Sequence, residues 1–69
     1  MRAENSREIY MAQYRIHFVD HGENVYATEH VQHDDERELI ETMRRREAHG
    51  IGAGFDLYEG DRLVYRHRK

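Results

Sequence analysis

The chain has 69 residues, of which 36% are charged and 38% hydrophobic, with 14 acidic and 11 basic side chains and a formal net charge of -3. It contains no cysteine, no proline and no tryptophan. This length allows one small domain. The absence of cysteine excludes a disulfide framework, a thiolate nucleophile and a cysteine-based metal site within this chain. A domain this small buries little core of its own, so we expect a second copy of the chain to complete it.

The first residues show no strand alternation, and we predict a flexible N-terminal tail over 1–12 followed by a single domain over 13–69. No apolar run approaches the ~18 residues of a membrane span. The segment 1–10 also lacks the apolar stretch of a secretory signal. We therefore expect a cytoplasmic protein that makes no contact with a membrane.

The segment that begins at Gln13 alternates with a period of two, which is typical of a half-buried β-strand. One face of this strand consists of Tyr14, Ile16 and Phe18. Turn-forming residues follow over 20–24, where Gly22 is free to adopt a positive φ. A second alternating run, from Val25 to Val31, completes a predicted β-hairpin.

A helix is predicted to begin at Asp34 or Asp35, because Glu38 follows at the spacing of a capping box. The first turn is acidic and the last turn is basic, which suits the two ends of the helix dipole. The apolar stripe is narrow and consists of Leu39, Ile40 and Met43. Gly50 is a favourable residue for ending the helix.

A second hairpin is predicted from two alternating runs, 55–58 and 63–66, joined by a short acidic-glycine turn. The resulting order ββαββ indicates an α+β fold, with one helix packed on one face of a four-stranded antiparallel sheet. The last three residues, 67–69, are expected to fray. The predicted core consists of Tyr14, Ile16, Phe18, Val25, Ala27, Val31, Leu39, Ile40, Met43, Ile51, Phe55, Leu57, Leu63 and Tyr65.

Nothing in the sequence is predicted to cover the second face of this sheet. The alternation assigns to it Arg15, His17, Tyr26, His30, Tyr58 and Arg66, with Val19, Thr28, Asp56 and Val64 beside them. Tyrosine and arginine are enriched at protein interfaces. We therefore predict a small protein-interaction module that forms a homodimer through this face or through an exposed edge strand.

Two other interpretations of the same face stay open. One is a single-stranded nucleic-acid binder, with the tyrosines stacking on bases and the arginines contacting phosphate. The net charge of -3 lacks the basic footprint that such proteins usually show. The other is an ordinary solvated sheet face, which antiparallel sheets often have.

Several metal-ligating residue types lie close together after the second predicted strand, namely His30, His33, Asp34 and Asp35. A histidine of the first hairpin, His17 or His21, would complete a zinc or nickel site. However, His30 and His33 are an odd number of residues apart, so their side chains are expected on opposite faces of a strand. We favour surface histidines and predict no metal and no cofactor.

The sequence offers little for catalysis. The one serine, Ser6, lies in the predicted tail, and the carboxylates are interpreted as helix caps and surface ion pairs. The glycine-rich segment 50–54 follows a helix and precedes a strand, the reverse of a phosphate-binding loop. We therefore predict that the chain is not an enzyme.

Two segments, Tyr14–Gly22 and Phe55–Val64, resemble a group of short bacterial proteins of unknown activity. Those proteins open with an aromatic-x-aromatic-His strand that ends in Asp-Gly, and they close with an acidic-glycine hairpin. This chain departs from the pattern because His21 interrupts the Asp-Gly pair, and because its second strand lacks an Asp-x-x-Gly element. The resemblance implies a bacterial ββαββ protein in which His17 is the shared polar residue, and it implies no activity.

Overall fold

The computed structural model describes residues 11–69, so the part of the predicted tail over 1–10 lies outside the described residues. The elements are β1 (Ala12–Val19), β2 (Val25–His33), α1 (Glu36–Ala48), β3 (Gly54–Glu59) and β4 (Arg62–Arg68). This order confirms the predicted ββαββ fold of the α+β class. Strand β1 begins at Ala12, one residue inside the predicted tail.

The four strands form one antiparallel sheet in the order β2-β1-β3-β4. Because β1 is antiparallel to both of its neighbours, β2 and β3 run in the same direction on either side of it. Strands that run in the same direction need a crossover connection, and α1 supplies it. The helix consequently lies over one face of the sheet. Within residues 11–69 no helix is long and apolar enough to cross a membrane.

The helix begins where the capping residues predict. The side chain of Asp35 accepts a hydrogen bond from the backbone N–H of Glu38 at 3.2 Å, which satisfies one of the free donors of the first turn. At the other end the helix stops at Ala48, and the N–H of Gly50 donates to the carbonyl of Glu47 at 3.1 Å. The predicted end at Gly50 therefore falls at the observed helix terminus.

The core lies between α1 and the sheet. It consists of Tyr14, Ile16, Phe18, Leu39, Met43, Phe55 and Leu57. Phe55 and Leu57 of β3 are completely buried, and burial of one such side chain stabilises the fold by about 1.5–3 kcal/mol. All seven residues belong to the predicted core. Val31, Ile40 and Tyr65 are partly buried against it.

A β-bulge in the first hairpin overturns part of the predicted alternation. Ala27 lies opposite Phe18 and Val25 lies opposite Val19, so Tyr26 is an extra residue between the two pairs. An extra residue shifts the alternation by one position. Val25, a predicted core residue, is therefore 51% exposed.

The second hairpin contains an equivalent bulge. Tyr65 lies opposite Leu57 and Leu63 lies opposite Tyr58, so Val64 is the extra residue. Leu63, predicted in the core, is 43% exposed, whereas Val64, predicted to face outward, packs against the core. The bulge exchanges the roles of these two neighbours.

Three more burial predictions were wrong. Ile51 is 93% exposed in the connector between α1 and β3, and Ala27 on β2 is also exposed. Val19 was assigned to the outward face and is nevertheless buried. It lies opposite Gly54 of β3, a residue that has no side chain of its own. A Cβ on Gly54 would collide with the carbonyl oxygen of His67, so β4 approaches β3 too closely there for any other residue.

The two neighbours at the second bulge provide a direct test of the register. We expect Val64→Ala to lower the free energy of unfolding by about 1–2 kcal/mol, because it removes partly buried methyl groups that pack against the core. Leu63→Ala should change it by less than about 0.5 kcal/mol, because Leu63 lies on the solvent side. Urea unfolding followed by circular dichroism measures both. A larger loss in Leu63→Ala would contradict the bulge.

Candidate functional site

The face of the sheet that α1 does not cover, hereafter the open face, carries three rows of side chains that run across the four strands. From β2 to β4 the rows are His30, Arg15, Tyr58 and Leu63; Thr28, His17, Asp56 and Arg66; and Val25, Val19, Gly54 and Arg68. Residues directly opposite each other on antiparallel strands share a face. The register therefore brings three arginines and two histidines to one surface, around a single carboxylate.

That carboxylate, on Asp56, is only 7% exposed. Its Oδ1 accepts hydrogen bonds from Arg66 Nε and Arg68 Nη1, both at 2.9 Å, and its Oδ2 accepts from Arg66 Nη2 at 3.3 Å. Burial alone would raise the pKa of Asp56, but the hydrogen bonds and charges of the two arginines outweigh it and hold the pKa below its usual value. The buried charge is thus compensated within the open face.

Arg68 connects this cluster to the other hairpin. Its Nε and Nη2 donate to the two carboxylate oxygens of Glu23, each at 2.9 Å, while its Nη1 reaches Asp56 and the carbonyl of Phe55. The bidentate geometry is the strong form of this ion pair, and the hydrogen bond from Arg68 lowers the pKa of Glu23. One side chain of β4 therefore ties β3 and the β1–β2 turn together.

The β1–β2 turn holds Glu23 in position. The side chain of Asp20 accepts hydrogen bonds from the backbone N–H groups of Gly22 and Asn24, both at 2.9 Å. The positive φ of the turn, 66°, falls on Glu23 and not on Gly22, the residue freest to adopt it. A left-handed conformation costs a non-glycine residue free energy, and the contact with Arg68 offsets that cost.

A second group on the open face centres on Tyr58. The guanidinium of Arg15 lies 5.0 Å from the centroid of the Tyr58 ring, within cation–π range. The Nε of Arg15 donates to Nε2 of His17 at 3.1 Å, and the His17 ring lies 5.3 Å from that of Tyr58. Arg15, His17 and Tyr58 therefore contact one another on the open face.

Five of the six residues predicted for the interaction face share the open face: Arg15, His17, His30, Tyr58 and Arg66. The sixth, Tyr26, does not. The bulge turns Tyr26 toward the helix side, where it lines a small groove with Phe18 and Arg46, and a Cβ on Gly52 would collide with its hydroxyl. The open face therefore presents one tyrosine where the sequence predicted two.

The histidines near the end of β2 separate as their spacing predicts. His30 lies opposite Arg15 on the open face, whereas His33 lies opposite Ala12 on the helix side. His33 Nδ1 accepts a hydrogen bond from the backbone N–H of Asp35 at 2.9 Å, which supports the entry into α1. Within residues 11–69 no three histidine and carboxylate side chains are grouped closely enough to hold a metal ion.

The two edge strands differ in charge. Strand β4 carries three arginines, Arg62, Arg66 and Arg68, and charged side chains discourage pairing with another strand. Strand β2 has nine residues, and its only acidic or basic residue besides histidine is Glu29, whose carboxylate is bound by Arg46 at 2.8 Å. All residues from Val25 to His30 are exposed. Strand β2 is therefore the unprotected edge of the sheet.

The hydrogen-bonding pattern identifies the backbone groups that β2 leaves free. The carbonyl of Val19 accepts from Ala53, so the backbone of Val19 faces β3. Backbone direction alternates along a strand, so Ile16 and Phe18 face β2, and their partners Glu29 and Ala27 face β1 in return. Thr28 lies between these two partners and His30 lies directly after Glu29. Both consequently direct their N–H and C=O groups outward, away from β1.

Two residues that organise the open face were missed at the level of the sequence. Arg68 was assigned to a fraying end and Glu23 to an ordinary turn, yet they form the ion pair that joins the hairpins. One signal was available for Arg68. It is two residues from Arg66, so both side chains lie on the same face of a strand whose neighbour carries Asp56. Nothing local in the sequence indicated Glu23, since the two residues are 45 positions apart.

No family model matches the chain, and comparisons with curated proteins and with solved structures find no match. A proposal on function therefore rests on the geometry of the molecule itself.

The Asp56 cluster predicts an acid-sensitive fold. Because the pKa values of Asp56 and Glu23 are depressed in the folded state, their contribution is present above the unfolded pKa values and is lost as the pH falls below about 5. Asp56→Asn should lower the free energy of unfolding by about 2 kcal/mol at neutral pH and make its decrease toward acidic pH shallower. Urea unfolding at a series of pH values measures both effects.

Glu41→Gln serves as the control, because Glu41 forms an exposed pair with Arg44 at 3.6 Å on the surface of α1. We expect a change below about 0.5 kcal/mol. An Asp56→Asn variant with the same pH dependence as the unmodified chain would show that the cluster does not determine acid stability.

Proposed function

We propose that this chain is a small protein-interaction module that forms a homodimer by pairing strand β2 with β2 of a second copy. The observation that carries the proposal is the contrast between the two edges of the sheet, since β4 carries three arginines and β2 carries one acidic residue that is already paired. An exposed strand with few charges is the form that adds a strand from another chain. The outward backbone groups of Thr28 and His30 supply the hydrogen bonds.

The sequence of β2 also favours pairing with itself. In a two-fold symmetric antiparallel pair centred on Thr28, this residue lies opposite its own copy and Glu29 lies opposite Ala27 of the second copy. Threonine pairs directly opposite each other are favourable in sheets. A pair centred on Glu29 would instead place two like charges opposite each other, which is destabilising. We therefore assign the symmetry axis to Thr28.

The edge supports dimerisation better than the open face does. A sheet face that pairs with another sheet is usually apolar, whereas the open face is spanned by the guanidinium groups of Arg66 and Arg68 on Asp56. Those arginines already pair with Asp56, the buried carboxylate of this face. The same pairing leaves fewer free cations for phosphate, and Tyr26 lies on the helix side, so the nucleic-acid alternative has less support.

Because the chain has no cysteine, a single introduced thiol reports directly on the pairing. Thr28→Cys should form a disulfide-linked dimer under mild oxidation, since opposed residues of an antiparallel pair have Cα atoms about 5.5 Å apart, within the range of a disulfide. Leu63→Cys is the matched control, because it is exposed on the other edge strand. Non-reducing electrophoresis and intact mass measure the product. Equal cross-linking of both variants would contradict the assigned edge.

Sedimentation equilibrium tests the dimer without a cross-link. Thr28→Lys should weaken the dimer at least about tenfold, because two like charges would lie opposite each other at the axis. Leu63→Lys adds the same charge on β4 and should leave the dimer unchanged. An unmodified chain that is monomeric up to millimolar concentration overturns the proposal.

A further inference from the structure

A cavity of about 500 Å³ lies at the end of the sheet where the β1–β2 hairpin extends beyond β3. Strand β3 pairs with β1 only from Arg15 to Val19, which leaves room beside the first residues of β1. The lining residues include Gln13, Arg15, His30, Gln32 and Gly60. Ligand sites in proteins typically have volumes of about 300–1,000 Å³.

Several of the side chains that line the cavity carry hydrogen-bond donors. Gln13 lies opposite Gln32 and Arg15 lies opposite His30 on the same face of the hairpin, so two side-chain amides, a guanidinium and an imidazole point to one side. No acidic side chain lines the cavity among residues 11–69. The chain as a whole has a net charge of -3, whereas the cavity is lined by the positive charge of Arg15.

Arg15 is the residue that identifies the ligand chemistry. Two arginines of the described chain, Arg15 and Arg68, are half-buried. Arg68 is bound by the carboxylates of Glu23 and Asp56, whereas the polar contacts of Arg15 within residues 11–69 are His17 Nε2 at 3.1 Å and the carbonyl of Gly60 at 3.4 Å. A half-buried guanidinium in a folded protein is usually paired with an anion.

The side chain of Arg15 is also held in place before any ligand binds. The ring of Tyr58 lies under its guanidinium, and His17 accepts from its Nε. Nη1 and the second N–H of Nη2, whose first N–H donates to the carbonyl of Gly60, therefore remain for a ligand. The two Nη groups are the pair of donors that binds the two oxygens of an oxyanion side by side. A side chain fixed in advance loses less conformational entropy on binding.

We propose that this cavity binds a small oxyanion, a carboxylate or a phosphate group, on the Nη atoms of Arg15, with the amides of Gln13 and Gln32 and the imidazole of His30 as further donors. The proposal does not require the dimer, because all the lining residues belong to one chain. His30 and Gln32 lie on β2, the strand proposed to pair with a second copy, but it is their side chains that would contact the ligand.

Amide-resolved NMR titration of the ¹⁵N-labelled chain tests it, with inorganic phosphate in one arm and succinate in the other, both at constant ionic strength against chloride. We expect saturable shifts of the Arg15, His30 and Gln32 amides in at least one arm. Saturation by phosphate alone identifies a phosphate ligand, and saturation by succinate alone identifies a carboxylate. The absence of a saturable shift in both arms, up to about 20 mM of the anion, overturns the proposal.

Two variants and a control locate the site. Arg15→Gln and Gln32→Glu should each weaken binding at least about tenfold, the first by removing the cation and the second by placing a competing carboxylate beside it. Arg45→Gln makes the same charge change at an exposed position of α1 and should leave the dissociation constant within about twofold of the original, since exposed charges at a distance are screened.

Gln32→Glu keeps the test valid if Arg15→Gln fails to fold, because Gln32 is exposed on the edge strand. Dispersed amide spectra establish which variants are folded. Binding to folded Gln32→Glu that equals binding to Arg45→Gln would overturn the assignment of the cavity.

Discussion

The buried carboxylate of Asp56 is the constraint on which the open half of this structure depends. One short helix can cover only one face of a four-stranded sheet, so the other face must be stabilised by the strands themselves. A carboxylate at 7% exposure requires compensation, and Arg66 and Arg68 provide it. Arg68 continues to Glu23, so the compensation also connects the two hairpins. The open face is held by charge pairing, in contrast to the apolar helix side.

The charge pairing on the open face explains why the two edge strands of the sheet differ in charge. The arginines that compensate Asp56 come from β4, and they charge that edge as a consequence. Strand β2 supplies no arginine to Asp56, and its one carboxylate, on Glu29, is bound by Arg46 of the helix. The same arrangement leaves Arg15 without an internal carboxylate partner among the described residues. The pairing at Asp56 thus accounts for two of the arginines on β4, while β2 carries few charges.

Most of the architecture could be predicted because it depends on local patterns. The period-two runs predicted both hairpins, and the carboxylate of Asp35 with Glu38 predicted the helix start. The candidate site was only partly predictable. Five of the six face residues lie on the open face as predicted, and the sixth, Tyr26, does not. Val64, which was assigned beside these six, also lies elsewhere, since Tyr26 and Val64 are each the extra residue of a bulge. A bulge depends on the pairing of two strands and has no signature in the alternation of one.

The sequence by itself determined the element order, the helix cap and most of the core, because each of these depends on neighbours within a few positions. It also placed in the core Val25, Ala27, Ile51 and Leu63, which are exposed. Only the tertiary structure decided the strand order, the two bulges, and the pairing of Arg68 with Glu23 across 45 positions. It also decided which edge is charged and which arginine lacks a carboxylate partner within residues 11–69. These features depend on which strands become neighbours, and that is set by the crossover through α1 and by the packing of its apolar stripe on Phe55 and Leu57.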